Sequence, residues 1–179
     1  MHKIPISFYQ RADTEAIARA LLGKYLFTNW DGQLTGGKIV ETEAYLGRED
    51  RACHSYGGRR TARTEVMYAP GGVAYVYLIY GMYHLFNVVT HRAEYPEAVL
   101  VRGLEPVVGL ETMLARRKMD RVERRMTAGP GTLPMALGIR REHTGIPLDG
   151  DVIWLEDRGE GVETHQIIAS PRVNVDYAG

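Results

Sequence analysis

The chain has 179 residues, enough for one well-buried core and short for two, so a single domain spanning 1–179 is expected. No apolar run approaches the roughly 20 residues that span a bilayer, and the start, Met-His-Lys-Ile-Pro-Ile-Ser, lacks the apolar core of a secretory signal, so a cytoplasmic location and no membrane partner are expected. Lys plus Arg and Asp plus Glu both number 22, and the single cysteine, Cys53, excludes an internal disulfide. A lone cysteine is more often a small buried apolar residue than a nucleophile.

In chain order, Asp13 to Gly23 reads as a first helix: Asp13 caps it, Ile17, Ala20 and Leu21 form its apolar stripe, and Gly23 supplies a left-handed stop. Lys24 to Trp30 reads as a strand, Asp31-Gly32 as a turn, and Gly36 to Leu46 as the next strand. That strand ends in Glu41, Glu43 and Tyr45. Spacing by two puts the three side chains on one face of an extended chain. A solvated face is the ordinary meaning of such a pattern; an active-site strand end is the competing one.

From Gly47 to Gly72 the periodicity is lost, and a segment this long carries function or hides short helices. It holds Glu49, Asp50, His54, Gly57-Gly58, Arg59, Arg60 and Arg63, a basic, glycine-bearing composition suited to phosphate. An ordinary solvated loop has the same look. His54 with the nearby carboxylates matches no recognised zinc spacing. Val73 to Val89 is rich in tyrosine and reads as a β-hairpin with a two-residue turn at Gly81-Met82. Tyr80 and Tyr83 then flank an exposed tip, where large aromatics cost solubility unless covered by a partner.

Ala98 to Gly103 is a further strand carrying Arg102, and Glu105-Pro106 is expected to open a helix through Met119. Six basic residues between Arg116 and Arg125 extend that helix as a solvated face or a patch for a nucleic-acid backbone. Thr127 to Ile139 reads as a glycine loop leading into a short helix, and Val152 to Leu155 and Ile167 to Val175 as strands that close the sheet. The expected fold is therefore mixed α+β: a curved, mainly antiparallel sheet with flanking helices and a protruding hairpin.

The neutral total hides an asymmetry. Residues 51–140 carry 13 Lys or Arg against 7 Asp or Glu, whereas residues 141–179 carry 3 against 8. Arg outnumbers Lys by 18 to 4, which suits bidentate contact with phosphate or, equally, a GC-rich genome.

Taken together and in order, Glu41-Thr42-Glu43-Ala44-Tyr45-Leu46-Gly47, Glu49-Asp50, Ala52, His54-Ser55, Tyr75-Val76-Tyr77, Ile79-Tyr80-Gly81-Met82-Tyr83, Asn87, Arg102, Leu104-Glu105-Pro106, Gly129-Pro130 and Ala136-Leu137 resemble the alkyladenine DNA glycosylase family, also called 3-methyladenine or methylpurine DNA glycosylases. The resemblance covers nearly the whole chain. It implies a monofunctional enzyme of base excision repair. Such an enzyme flips alkylated, and in an open extension deaminated, purines from duplex DNA and hydrolyses the N-glycosidic bond, with no cofactor. It implies Glu43 as the water-activating base and Arg102 as a holder of that water. Tyr45, His54 and Tyr77 would enclose the flipped base, Asn87 would screen against the amino group of guanine, and Val173 would meet the water through its carbonyl. Tyr80 would be the wedge that fills the vacated stack. Met82, Arg59, Arg60 and Arg63 are candidate contacts to the DNA backbone. The implied partner is double-stranded DNA with damaged purines, met by a monomer in the nucleoid.

The chemistry stands without the resemblance as well. A cationic alkylated purine leaves readily, so one ionised glutamate that delivers water suffices, whereas glycosidases need two carboxylates because an alkoxide leaves poorly. Glu41 is then a supporting partner for an Arg, and no Schiff-base lysine is expected.

Three departures bear on the transfer. Asn174 stands where the family usually has glycine, Thr132 where it often has lysine, and Gly179 precedes a terminal segment that relatives commonly carry, so a short C-terminal segment is expected to be lacking. A two-residue turn also puts Tyr77 and Asn87 on opposite faces, so a bulge or longer turn is needed to bring both to one pocket. Two alternatives remain open: a metal-dependent hydrolase using Glu41, Glu43, Glu49, Asp50 and His54, and a non-catalytic binder of damaged DNA.

Overall fold

In the computed structural model, which describes residues 2–178, seven strands form one antiparallel sheet. They are β1 (His2–Lys3), β2 (Tyr25–Trp30), β3 (Gln33–Tyr45), β4 (Ala74–Ile79), β5 (Tyr83–Thr90), β6 (Glu97–Val108) and β7 (Ile153–Asp157), in the order β1-β7-β2-β3-β6-β5-β4. Short helices α1 (Ile6–Tyr9), α2 (Thr14–Leu21), α3 (Leu110–Arg117) and α4 (Thr132–Leu137) accompany it, giving a mixed α+β fold whose sheet does not close into a barrel.

Helix α2 follows its sequence closely. The Asp13 side chain accepts the Ala16 N–H at 2.8 Å, Glu15 lies in the first turn, and Ile17, Ala18 and Leu21 are buried. Alternation along the central strands divides the protein into two apolar bodies. Val76, Phe86, Val88, Val99 and Val101 join Ile17, Leu21, Met113, Leu133 and Leu137 in the helix-covered core. On the opposite sheet face, Tyr75, Val89 and Ala98 pack with Cys53 and Met67 from the segment after β3. That segment holds three single-turn 3-10 helices, Gly47–Glu49, Tyr56–Gly58 and Glu65–Tyr68, so its loss of periodicity hid short helices.

The β3–β6 ladder contains two register shifts in the stretch that carries the carboxylates. Ile39 pairs with Leu104, Glu41 with Gly103 and Thr42 with Val101, so Val40 on β3 and Arg102 on β6 are skipped. Bulges of this kind re-aim side chains. Here they leave Glu41 exposed and Glu43 buried at 8% exposure, so the two carboxylates are not equivalent members of one face.

Four expectations are corrected. The hairpin turn is not a two-residue turn at Gly81-Met82: Ile79 pairs with Tyr83 across a three-residue loop, with Tyr80 and Gly81 at φ 53° and 67° and the Met82 N–H on the Ile79 carbonyl. This register pairs Tyr75 with Asn87 and Tyr77 with Leu85, which brings Tyr75, Tyr77, Leu85 and Asn87 to one face and removes the conflict over Tyr77 and Asn87.

Glu105-Pro106 does not start a helix. Strand β6 runs through it to Val108, because proline lies opposite Gly37 at an irregular position, and a Cβ on Gly37 would sit 2.3 Å from the Glu105 carbonyl oxygen. The helix starts only after Gly109, and it stops at Arg117, with Lys118 at φ 51°, so the basic run is not one helical face. Arg116 and Arg117 bond the Ala136 and Met126 carbonyls, and Arg121 and Arg125 pair with Glu123.

Finally, Ile167 to Val175 forms no strand. It lies as an irregular strap whose polar contacts go to side chains and carbonyls of the β3 region.

Candidate active site

The strap and the sheet enclose a cavity of about 540 Å³. Its walls come from the end of β3, the loop after it, the hairpin, β6, the Gly129–Thr132 loop and the strap, including Tyr45, His54, Tyr77, Asn87, Arg102 and Val173. Cross-strand register explains why these meet: Glu43 pairs with Leu100, Leu100 with Asn87 and Asn87 with Tyr75, one row across four strands.

Glu43 contacts three residues of this lining, Tyr45, Arg102 and Val173, and both its carboxylate oxygens are engaged. Oε1 accepts the Val173 backbone N–H at 2.9 Å and has the Arg102 guanidinium 3.4 Å away. Oε2 accepts the Tyr45 hydroxyl at 2.9 Å. Arg102 also donates to Glu41 Oε1 at 2.8 Å, so Glu41 is the supporting partner of that arginine. Burial first, and the Glu43 charge second, push the Tyr45 hydroxyl far above its ordinary range, so Tyr45 stays a donor.

The pocket walls are largely aromatic, with two cationic side chains, Arg63 and Arg102, among them. The His54 ring packs edge-on against Tyr77, with centroids 4.6 Å apart, and His54 Nδ1 lies 2.8 Å from the Tyr75 hydroxyl. Arg63 caps Tyr77 with its guanidinium 5.0 Å from the ring centre and reaches His54 Nε2 at 3.4 Å. Burial, then the charges of Arg63 and Arg59, lower the His54 pKa to about 4, so the imidazole is neutral at pH 7. Burial likewise raises Tyr75 and Tyr77 to about 12. Asn87 is 3% exposed and donates its amide to the Tyr75 carbonyl at 3.2 Å, which fixes its orientation.

The other predicted residues lie around this pocket. Tyr80 at the hairpin tip is 82% exposed and Met82 beside it 62% exposed. Arg60 is held by Glu65 and Glu94, which weakens its case as a phosphate contact, whereas Arg59 forms no ion pair among the described residues. Asn174 takes φ 61°, the left-handed conformation that glycine adopts freely and asparagine tolerates best among other residues, so it can replace glycine there. Thr132 caps back onto the Gly129 carbonyl at 3.1 Å.

The set proposed for a metal is not gathered: among the described residues no group of three or more His, Cys, Asp or Glu could hold an ion. Asp50 instead grips Arg172, and His54 faces tyrosine. No described helix is long and apolar enough to cross a membrane.

Sequence reasoning missed the Asp50–Arg172 pair, whose members lie 122 positions apart. It also missed the Gly131 wall, where a Cβ would meet the Tyr83 ring at 2.8 Å. The glycine-rich run from Gly129 to Gly131 was the only local hint of that wall.

A model of the methylpurine-DNA glycosylase family matches residues 7–179. The chain is 51% identical over 182 residues to a protein of Bacillus mycoides (strain KBAB4), covering 97% of this chain and 89% of the relative. It is 49% identical to one of Bacillus cereus (strain G9842), covering 97% and 88%. It is 46% identical to one of Bacillus cytotoxicus, covering 98% and 90%. All three relatives bear the provisional name 3-methyladenine DNA glycosylase.

The His54 site predicts an acid-sensitive stability. The folded protein holds this imidazole at about 4 against 6.5 for a free one, so between those values the unfolded chain binds the extra proton and the fold loses stability as pH falls. Chemical denaturation at pH 6.5 and pH 4.5 is expected to show a midpoint decline that His54→Asn makes shallower.

Proposed function

The chain belongs to the methylpurine-DNA glycosylase family, and we propose that it acts by drawing a damaged purine nucleotide out of duplex DNA into the tyrosine-lined cavity and hydrolysing its N-glycosidic bond with a water activated by Glu43. The activity class, removal of 3-methyladenine and related methylpurines by an N-glycosyl hydrolase, is that of the family and its relatives. The observation that carries the finer reading is the seat of Glu43: a buried carboxylate oriented by Tyr45 Oη, the Val173 N–H and Arg102, three residues that line the cavity.

The steps follow from charge. A 3-methylated adenine is already cationic, and a cation between tyrosine faces is favoured by their π-electrons. Neutral His54 and un-ionised Tyr75 and Tyr77 add no charge to walls whose cations are Arg63 and Arg102, so the one negative group that meets the developing oxocarbenium sugar is Glu43. As the C1′–N bond breaks and the base departs with the bonding pair, a water oxygen attacks C1′. Glu43 takes the proton that water loses, and Arg102 holds the water and the carboxylate in register. The Val173 carbonyl is a third holder of that water. Tyr45, His54 and Tyr77 wall the base, and Asn87 screens against guanine's amino group. Deaminated purines are neutral and leave only after protonation, so they are slower substrates.

Tyr80 is proposed to enter the gap left by the extruded nucleotide. It is exposed at a tip whose strained turn has no other evident use, and Met82 stands next to it toward the backbone. Arg63, which lines the cavity, and exposed Arg59 are proposed to meet the phosphates. The alternative, a damaged-DNA binder without chemistry, uses the same tip but leaves the Glu43 seat idle.

Dimethyl sulfate-treated duplex DNA distinguishes them. The wild type is expected to release 3-methyladenine, measured by chromatography, and Glu43→Gln to lower the rate at least about 100-fold, the lower end of what a general base supplies. No release by the wild type leaves only the binder. Tyr80→Ala is expected to slow excision from duplex about tenfold while leaving salt-sensitive binding to undamaged DNA in place; an unchanged rate removes Tyr80 from the wedge role.

A further inference from the structure

Arg172 occupies the crossing point of the strap and the sheet. Its guanidinium donates to both oxygens of Asp50, at 2.5 and 2.9 Å, and to the Ala44 carbonyl at 3.1 Å, and it lies 5.0 Å from the centre of the Tyr45 ring. Asp50 in turn accepts the backbone N–H of Leu46 at 3.0 Å and of Ala52 at 2.9 Å. One carboxylate thus ties down the end of β3, the loop that carries His54, and the strap. The residue that follows Arg172 is Val173, whose N–H meets Glu43, and the next is Asn174 in its left-handed turn.

We propose that the Asp50–Arg172 pair is the positioning latch of the active site, holding the strap so that Val173 seats the Glu43 carboxylate. This inference rests on the glycosylase reading given above. A direct phosphate contact is the obvious other use of an arginine here. Two features count against it: both terminal nitrogens are already spent on Asp50 and Ala44, and the side chain is only 21% exposed. The Asp50 side chain is 7% exposed, so neither partner is a surface charge free to exchange for solvent. Asp50 is held below the usual carboxylate range: burial opposes ionisation, but the Arg172, Leu46 and Ala52 donors outweigh it.

Other features of the molecule carry less. The groove between α2, β3 and the strap is acidic and partly apolar; Glu43, Asp50 and Arg172 line it, so it adjoins the site already described, and nothing specifies an occupant for the rest of it. The unpartnered Tyr9 hydroxyl is enclosed by core and faces no opening of the surface.

The latch is tested by single-turnover excision from methylated duplex with the wild type, Glu43→Gln, Arg172→Met, Arg172→Lys, Asp50→Ala and the Asp50→Ala/Arg172→Met double variant. Affinity for undamaged duplex and thermal midpoint are measured in parallel. Displacing a reacting group by about 1 Å costs up to 100-fold. Arg172→Met is therefore expected to lose 10- to 100-fold in rate with affinity unchanged within twofold, and Arg172→Lys, which keeps one donor for Asp50, to recover part of it. The double variant should lose no more than the worse single variant, because both remove one device.

Three results overturn the latch: an unchanged rate in Arg172→Met, a rate loss matched by an equal loss of duplex affinity, or losses that multiply in the double variant. If Arg172→Met or Asp50→Ala fails to fold, Arg172→Lys decides: full wild-type rate overturns the latch and a partial loss at unchanged affinity supports it. A wild type that releases no base overturns the glycosylase reading instead. The latch is then judged by limited proteolysis of the 167–175 strap, which should be cut faster in Arg172→Lys than in the wild type; equal rates overturn it.

Discussion

A buried carboxylate is expensive, and the structure around Glu43 is what makes one tenable. Removing such an ion from water costs several kcal/mol unless donors replace the lost hydration. Glu43 receives two hydrogen bonds, from a phenol two residues along its own strand and from a backbone N–H of the strap, and an ion pair with a guanidinium 3.4 Å away on the neighbouring strand. Each donor depends on a separate feature of the fold. Tyr45 is delivered by the period-two geometry of β3, Arg102 by the bulge that skips it in the ladder, and Val173 by the strap crossing over the sheet. Loss of any one leaves a charge under-satisfied in a site where water is partly excluded.

The electrostatic contrast between wall and rim extends this constraint. Inside the cavity the aromatic and imidazole side chains are neutral at pH 7, so Glu43 is not compensated by a cationic His54. Exposed Arg63 lines the cavity on the stretch with the positive local balance, with exposed Arg59 four positions before it. On the proposed reading a polyanion is attracted to the mouth, while a positively charged base meets tyrosine faces and the Glu43 carboxylate beside Arg102. In the proposed reaction this division lets the exterior bind backbone without quenching the charge that acts on the sugar.

The part of the candidate site that rests on local periodicity was legible in the residues themselves, while His54, Tyr77, Asn87, Arg102 and Val173 entered it only through the family resemblance. Glu43 and Tyr45 share a face by spacing, the Asp13 cap and the Asp31-Gly32 turn follow from residue chemistry, and Tyr80 falls at the hairpin tip under either turn length. What was not legible depends on partners distant in the chain. The β6 strand runs through Pro106 because Gly37 on the opposite strand leaves room, which neither residue announces alone. The exposure of Glu41 follows from two register skips that have no local signature. The Ile167–Val175 run has the apolar content of a strand, yet its polar groups go to Glu43, Ala44 and Asp50, more than 120 positions away.

The claim on which all of this turns is that the Glu43 seat is complementary to a cationic sugar and its attacking water. Binding of duplex DNA carrying a cationic pyrrolidine in place of one deoxyribose, compared with the same duplex carrying neutral tetrahydrofuran, measures that complementarity without any chemical step. The wild type is expected to prefer the pyrrolidine duplex by about 100-fold or more, as a transition-state mimic demands, and Glu43→Gln to lose most of that preference. Equal affinity of the wild type for the two duplexes, or a preference that survives Glu43→Gln, contradicts the assignment.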